Sequence, residues 1–222
     1  MANYNVKIKE IIPRTHNVRT YRVTKPQGFE FTPGQATDLS LRKSGWENEK
    51  RPFTFTCLPG DDYLEFTIKS YTDHDGVTNL LGRSNPGDEF EISDAWGAIS
   101  YKGEGVFLAG GAGVTPFISI FRDLNRQKKI GGNKLFFSNK TDNDIILRDE
   151  FEKMLGKNFF NIISNQPDTK LYKGRIDEKF LKEHVTDFKQ HFYVCGPDAF
   201  NEALLKHLNN LGANPDTLVF EK

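Results

Sequence analysis

The residues Val106-Phe107-Leu108-Ala109-Gly110-Gly111-Ala112-Gly113-Val114-Thr115-Pro116-Phe117 run from an apolar strand through a glycine-rich turn into a helix. Glycines let the backbone take turn conformations and let an anion come close to peptide N–H groups. The following helix points its positive end at that anion, worth up to about 2 kcal/mol in a favourable site. Pro116 suits the first helical position, where its missing N–H costs nothing, and Thr115 can cap just ahead of it. The stretch departs from the G-x-G-x-x-G dinucleotide fingerprint, because Pro116 stands at the third glycine. The acidic ribose ligand expected about twenty residues on is also missing. Ser138, Asn139 and Lys140 stand at the end of the next strand instead. Polar and cationic groups there tolerate a 2′-phosphate and lean towards NADPH over NADH. An ordinary tight strand-to-helix turn fits the same residues.

Downstream the pattern repeats, apolar strand then amphipathic helix. Strands are expected at 106–109, 134–138, 160–164, 191–195 and 217–220, and helices at 116–127, 148–155, 178–188 and 198–211. In the last helix Phe200, Leu204, Leu208 and Leu211 fall on one stripe, the spacing of a core-facing surface. Such alternation implies a parallel sheet covered on both faces, with ligands at the carboxyl ends of its strands. Upstream, from Tyr4 to about Trp96, short β-type runs at 5–11, 18–24, 36–41, 53–57, 63–70 and 89–92 are broken by turn residues such as Thr32-Pro33-Gly34 and Asn85-Pro86-Gly87-Asp88. Leu64, Phe66 and Ile68 alternate as one face of a strand does, and one short helix is expected at 77–81. Many short strands with almost no helix argue for an antiparallel barrel or sandwich. The boundary falls within 98–104.

Composition narrows the function classes. Thirty Lys+Arg balance 30 Asp+Glu in 222 residues, so the basic excess of a nucleic-acid binder is absent. No window approaches the ~18 to 20 apolar residues of a membrane span. The start, MANYNVKIKE, lacks a secretory pattern. Cys57 and Cys195 lie too far apart in sequence for a disulfide framework or a thiolate cluster. His16, His74, His184, His191 and His207 show no zinc-ligand spacing and read as solvated surface residues, so no metal is expected. The expectation is a soluble, cytoplasmic protein with no nucleic-acid partner and no membrane span.

Three further stretches carry candidate chemistry. Arg51-Pro52-Phe53-Thr54 opens a strand with a cation that can clamp a diphosphate and an aromatic that can cover a planar ring. Asp75-Gly76-Val77-Thr78-Asn79-Leu80-Leu81 puts a glycine and a hydroxyl at a helix start, another anion-binding arrangement. Phe192-Tyr193-Val194-Cys195-Gly196-Pro197 ends a buried strand in a thiol. Each also has a plain reading: a surface ion pair for Arg51, barrel core for Phe53, a helix cap for Thr78 and a small buried hydrophobe for Cys195.

In this order the motifs resemble the ferredoxin–NADP reductase family of flavoproteins, and the resemblance covers the whole chain. It implies an N-terminal antiparallel Greek-key β-barrel at 1–100 that binds FAD. A C-terminal Rossmann-like α/β domain with a parallel sheet at 101–222 would bind NADPH or NADH. Arg51, Phe53 and Thr54 match the family's Arg-x-aromatic-Ser/Thr motif, with Pro52 between them. Gly76, Thr78, Asn79 and Leu81 match its flavin phosphate motif in part. Arg51 and the backbone at Gly76, Val77 and Thr78 would hold the FAD pyrophosphate. Phe53 would stack on the isoalloxazine, where Tyr is commoner, and Thr54 would contact the flavin near N5. Gly111, Gly113, Thr115 and Pro116, with Cys195, Gly196 and Pro197, would hold the nicotinamide nucleotide, with Cys195 beside the nicotinamide. Ser138, Asn139 and Lys140 would lie near the adenosine end. Relatives shield the flavin with a C-terminal aromatic or keep a terminal acid near it. Phe220 reads better as core, and Glu221 is a candidate proton relay.

The implied activity is an FAD-dependent NAD(P)H oxidoreductase that passes electrons to a separate acceptor. Two cysteines cannot supply plant-type iron–sulfur ligation. The acceptor would be a ferredoxin, a flavodoxin, an oxygenase component or a small molecule. Lys43, Lys50 and Lys69 are candidates for docking an acidic redox protein. The alternatives are a reductase subunit of a multicomponent oxygenase and a non-catalytic flavin or nucleotide sensor.

Overall fold

A computed structural model of the chain describes residues 2–73 and 75–220. The chain divides into two compact units, Met1–Ser100 with Thr115–Asp123, and Tyr101–Val114 with Leu124–Lys222.

In the first unit β1 (Asn3–Pro13), β2 (Val18–Thr24), β3 (Ala36–Leu41), β4 (Arg51–Thr54), β5 (Tyr63–Lys69) and β6 (Glu89–Ser93) form a six-stranded sheet in the order β4-β3-β6-β1-β2-β5. Every neighbouring pair is antiparallel. Just past β4 the chain leaves β3 for the opposite edge of the sheet. There Phe55 bridges Phe66, and the Thr56 N–H donates to the Glu65 carbonyl at 2.8 Å. This contact nearly closes the sheet into the expected Greek-key barrel and pairs edge groups that an open sheet would leave exposed. The strand expected at 53–57 is therefore split. Residues 51–54 pair with β3, while Phe55 turns inward to stack on Phe31 at 4.5 Å in the barrel core.

The short helix α1 (Val77–Leu81) buries Val77 and Leu81 in the same core. Leu64, Phe66 and Ile68 point inward as alternation requires, yet Glu65 and Thr67 on the other face of β5 are buried too. The first turns of α2 (Thr115–Arg126) explain the extra burial: Ser119 Oγ donates to the Cys57 carbonyl at 2.7 Å, and Arg122 reaches Glu65.

In the second unit β7 (Gly105–Gly110), β8 (Lys134–Asn139), β9 (Phe159–Ile163), β10 (Tyr172–Lys173), β11 (His191–Cys195) and β12 (Leu218–Phe220) form a parallel sheet in the order β10-β9-β8-β7-β11-β12. Helix α3 (Arg148–Leu155) meets one face through Phe151 against Phe137. Helices α4 (Glu178–His184) and α5 (Asp198–Asn210) bury Phe180, Leu181, Leu204 and Leu208 against the other. The sheet grows from β7 in two directions, so its strand order switches between β7 and β11.

Two departures from the expected elements have local causes. Helix α4 stops at His184 rather than 188, because Val185 turns extended (φ −122°, ψ 121°) and buries itself in the core. Strand β10 is only two exposed residues long and leaves no periodic trace in the sequence. Among the described residues no helix is long and apolar enough to cross a membrane.

Candidate functional site

In the second unit the glycine turn and the thiol-bearing turn meet. After β7 the chain makes a tight 3-10 turn over Gly111–Val114 and runs straight into α2 at Thr115. Pro116 is thus the second helical residue and Thr115 is helical rather than a cap; proline is tolerated anywhere in the first turn. Gly111 has φ 52°, in the left-handed region that disfavours a side chain. Gly113 is glycine for another reason: a Cβ there would overlap the Cys195 carbonyl and stand 2.6 Å from the Gly196 nitrogen. Cys195 pairs with Ala109 in the sheet register, so the two turns lie backbone against backbone at the carboxyl ends of β7 and β11. This is the switch point of the strand order, where open α/β sheets leave a crevice for ligands. Cys195 is half-buried and outside any disulfide, and Pro197 leads into α5.

One strand over, Ser138 is paired with Gly110 and half-buried, and Lys140 is exposed. Asn139 between them is buried, and neither its Nδ2 nor its Oδ1 has a partner. Asn161 of β9 lies on the same face of the sheet with its Oδ1 also unpartnered. Leaving a buried polar group unpaired costs about 1–3 kcal/mol, so such groups mark places where a ligand or water completes the bonding.

In the first unit, β4 is an edge strand, which tolerates the missing N–H of Pro52. Arg51 is exposed; its Nη1 donates to the Lys50 carbonyl at 2.7 Å and its Nη2 lies 3.2 Å from Glu49 Oε2. Phe53 and Thr54 are half-buried and pair with Thr37 and Ala36. Gly76 precedes α1 in extended conformation, with no side-chain cap and no acidic residue in the first turn. The Thr78 hydroxyl accepts from the Tyr71 N–H at 3.4 Å, and Val77 offers only its backbone because its side chain is core. Both β4 and α1 adjoin β3, which brings the two motifs onto neighbouring elements. A cleft of about 290 Å³ opens on this unit, lined by His16, Arg19, Ser70, Thr72, Asn79 and Arg83 among others; of the flavin phosphate motif only Asn79 lines it.

Several expectations change. Glu221 and His74 lie outside the described residues. Phe220, by contrast, packs against the core of the second unit as expected. His184 is not a solvated surface residue: its ring stacks on Phe180 at 4.2 Å and its Nδ1 lies 2.9 Å from the Phe180 carbonyl. The Nδ1 of His191 is buried without a partner. Of the candidate docking lysines, Lys50 pairs with Glu91 at 3.3 Å and Lys69 lies over the Tyr71 ring, while Lys43 is exposed.

A family model described as the oxidoreductase NAD-binding domain matches residues 107–206, the span that holds the switch point. Over its whole length the chain superposes on the CS-b5R domains of human Ncb5or in the NAD+ form (TM-score 0.86, 25% identity, 70% of that chain). It also superposes on a ferredoxin NADP+ reductase from Neisseria gonorrhoeae with bound FAD and NADP (TM-score 0.84, 18% identity, 98% of that chain). The chain shares the fold of these reductases and is similar to the oxidoreductase NAD-binding domain over the matched span.

In sequence the chain is 25% identical, over 94% of its length, to the reductase component of propane 2-monooxygenase from Mycolicibacterium smegmatis, and it spans 64% of that relative. Three residues escaped the reading of the sequence. Glu65 looked like the solvent-facing position of an alternating strand, and its burial depends on Ser119 and Arg122 of a distant helix. Asn161 carried no signal at all. Phe200 was legible as part of a core stripe, but not as a neighbour of the glycine turns.

Proposed function

We propose that this reductase-like chain is an FAD-dependent NAD(P)H oxidoreductase, taking hydride from a dihydronicotinamide and passing electrons to a separate acceptor. The observation that carries the reading is the apposition of Gly113 and Cys195 at the switch point, where the absence of a Cβ lets the two turns pack backbone against backbone beside one crevice. Residues 101–222 would hold the nucleotide. Gly111, Gly113, Thr115, Pro116, Gly196 and Pro197 cradle its pyrophosphate. Ser138, Lys140 and the unpartnered Asn139 amide face its adenosine end. Cys195 borders the nicotinamide and keeps water from that ring.

Residues 1–100 would hold FAD. Arg51 exchanges its surface carboxylate Glu49 for a diphosphate, a bidentate geometry that guanidinium suits. The uncapped backbone at Gly76, Val77 and Thr78 adds donors for the same anion. Phe53 presents a ring face to the isoalloxazine, and the Thr54 hydroxyl offers a hydrogen bond near N5. When bound, the flavin supplies the two-electron acceptor that can release electrons onward; the chain binds, orients and shields. A ferredoxin or flavodoxin would take the electrons. Relatives that are a propane 2-monooxygenase reductase component and a 2-halobenzoate 1,2-dioxygenase electron transfer component support a second acceptor class, an oxygenase component. A cytoplasmic location goes with this reading, since it draws on the cell's NAD(P)H.

The visible spectrum of the purified protein, followed through anaerobic titration with NADH and then NADPH, tests the proposal. A yellow protein bleached by one nucleotide at much lower concentration supports it and sets the preference. Bound flavin that neither nucleotide reduces would leave a redox-sensing module; failure to bind FAD at all would end the proposal.

A further inference from the structure

Phe200, the third residue of α5, touches both turns of the switch point. A Cβ on Gly110 would stand 3.1 Å from its Cγ and 3.2 Å from Cδ1 and Cδ2. A Cβ on Gly196 would stand 2.5 Å from Cδ1 and 3.1 Å from Cγ and Cε1. Neither glycine has positive φ. Their side chains are therefore excluded by this ring and not by backbone conformation, unlike Gly111 at φ 52°. Carbon atoms in ordinary contact sit about 3.5–4.0 Å apart, so an added methyl at either site must push the ring or the turn away. Gly110 ends β7 and Gly196 follows β11, and the half-buried ring is wedged against both. Because Cys195 pairs with Ala109, the two glycines lie side by side, and one rigid aromatic plate packs across both.

We infer that Phe200 is a positioning residue of the nicotinamide-nucleotide site, setting the separation of the Gly110–Gly113 turn from the Cys195–Pro197 turn. The inference rests on the proposed function, because it takes the two turns as halves of one pyrophosphate cradle. A diphosphate that must meet backbone donors on both turns binds best at one separation. Thickening either turn with a methyl, or removing the ring that packs across both, shifts that separation in ways that offset each other.

The test is a set of double mutants in the full-length flavin-loaded protein, with NADH and NADPH as the titrants. Gly110→Ala and Gly196→Ala should each weaken binding of the preferred nucleotide by about tenfold, the effect of an overpacked contact. Phe200→Ala should weaken it severalfold, and combining it with either glycine variant should restore much of the loss. Gly113→Ala is the internal control, because its Cβ meets the Cys195 backbone rather than the ring, and Phe200→Ala should not rescue it. In Phe200→Ala the rate of flavin reduction at saturating nucleotide should change by less than about twofold while affinity falls, since uniform binding is what is lost. Should Phe200→Ala melt below the assay temperature, Phe200→Met replaces it, its unbranched chain being able to swing aside.

Additive losses in the double mutants, or equal rescue of Gly113→Ala, would overturn the inference. So would variants whose melting temperature falls while nucleotide affinity stays at the wild-type value, which would reduce Phe200 to core. A wild-type protein that binds neither nucleotide overturns the functional reading itself and this inference with it, a result distinct from all the others.

Discussion

Arg122 Nη1 lies 2.6 Å from Glu65 Oε1, and the Glu65 side chain is 1% exposed. The carboxylate also takes hydrogen bonds from Arg22 Nε at 3.0 Å and Thr56 Oγ1 at 2.9 Å. Arg122 uses the same Nη1 to donate to the Thr56 carbonyl at 2.7 Å. A buried carboxylate between two guanidiniums thus fastens the first turns of α2 to β5 and to the chain just past β4. The motif Arg51–Thr54 precedes that anchor by a few residues, and the glycine turn leads directly into the anchored helix.

Removing one partner of a buried ion pair leaves the other charge uncompensated. Arg122→Ala should therefore destabilise the protein by about 3 kcal/mol, the low end of the usual range because Arg22 remains. Thermal or urea unfolding measures it, and a change under about 0.5 kcal/mol, the size of an ordinary surface substitution, would show that the pair is not an anchor.

Burial pushes the Glu65 carboxyl up, but the Arg122 charge and the hydrogen bonds from Arg122, Arg22 and Thr56 outweigh it and leave its pKa below the usual carboxylate range. A depressed folded pKa contributes stability above the unfolded value of about 4.3 that is lost as pH falls through the folded one. Glu65→Gln should flatten that part of the stability–pH curve below about pH 4. Circular dichroism across an acid titration of both proteins reads it, and parallel curves would contradict the assignment.

The two thiols should differ in reactivity. Burial pushes Cys57 up to about 12, whereas Cys195 is half-buried at the switch point. A thiol reagent at mild pH should modify Cys195 alone in the folded protein, and both residues after unfolding. Bound nicotinamide nucleotide should slow the reaction at Cys195. Cys195→Ala should keep its flavin but reduce it more slowly with NAD(P)H; equal rates would take the thiol out of the site.

Arg51→Ala should loosen FAD. A hydrogen bond to a charged group contributes about 1.5–3 kcal/mol, so retention should fall by roughly tenfold or more. Flavin occupancy after dialysis checks this, and wild-type occupancy would move the diphosphate contact elsewhere.

Local chemistry made much of this legible. Period-2 and helical patterns placed Val18–Thr24, Ala36–Leu41, His191–Cys195 and the helix Val77–Leu81 at their observed bounds, since each is set by neighbours in the chain. The glycine turn was visible because an apolar strand, three glycines and a proline are read within twelve residues. What stayed hidden depends on partners distant in sequence. Glu65 and Arg122 are 57 residues apart, and nothing near either one predicts that a charge will be buried. The exclusion of side chains at Gly110 and Gly113 comes from the Phe200 ring of α5 and the Cys195 carbonyl, far along the chain, so sequence shows the glycines and only packing shows that Gly110 answers to the same ring as Gly196. Order along the chain decides elements and motifs, because these need only short-range sterics and hydrogen bonds. Which motifs face each other, and which charges lose water, is decided by the switch in strand order and by barrel closure, which bring remote segments within contact distance.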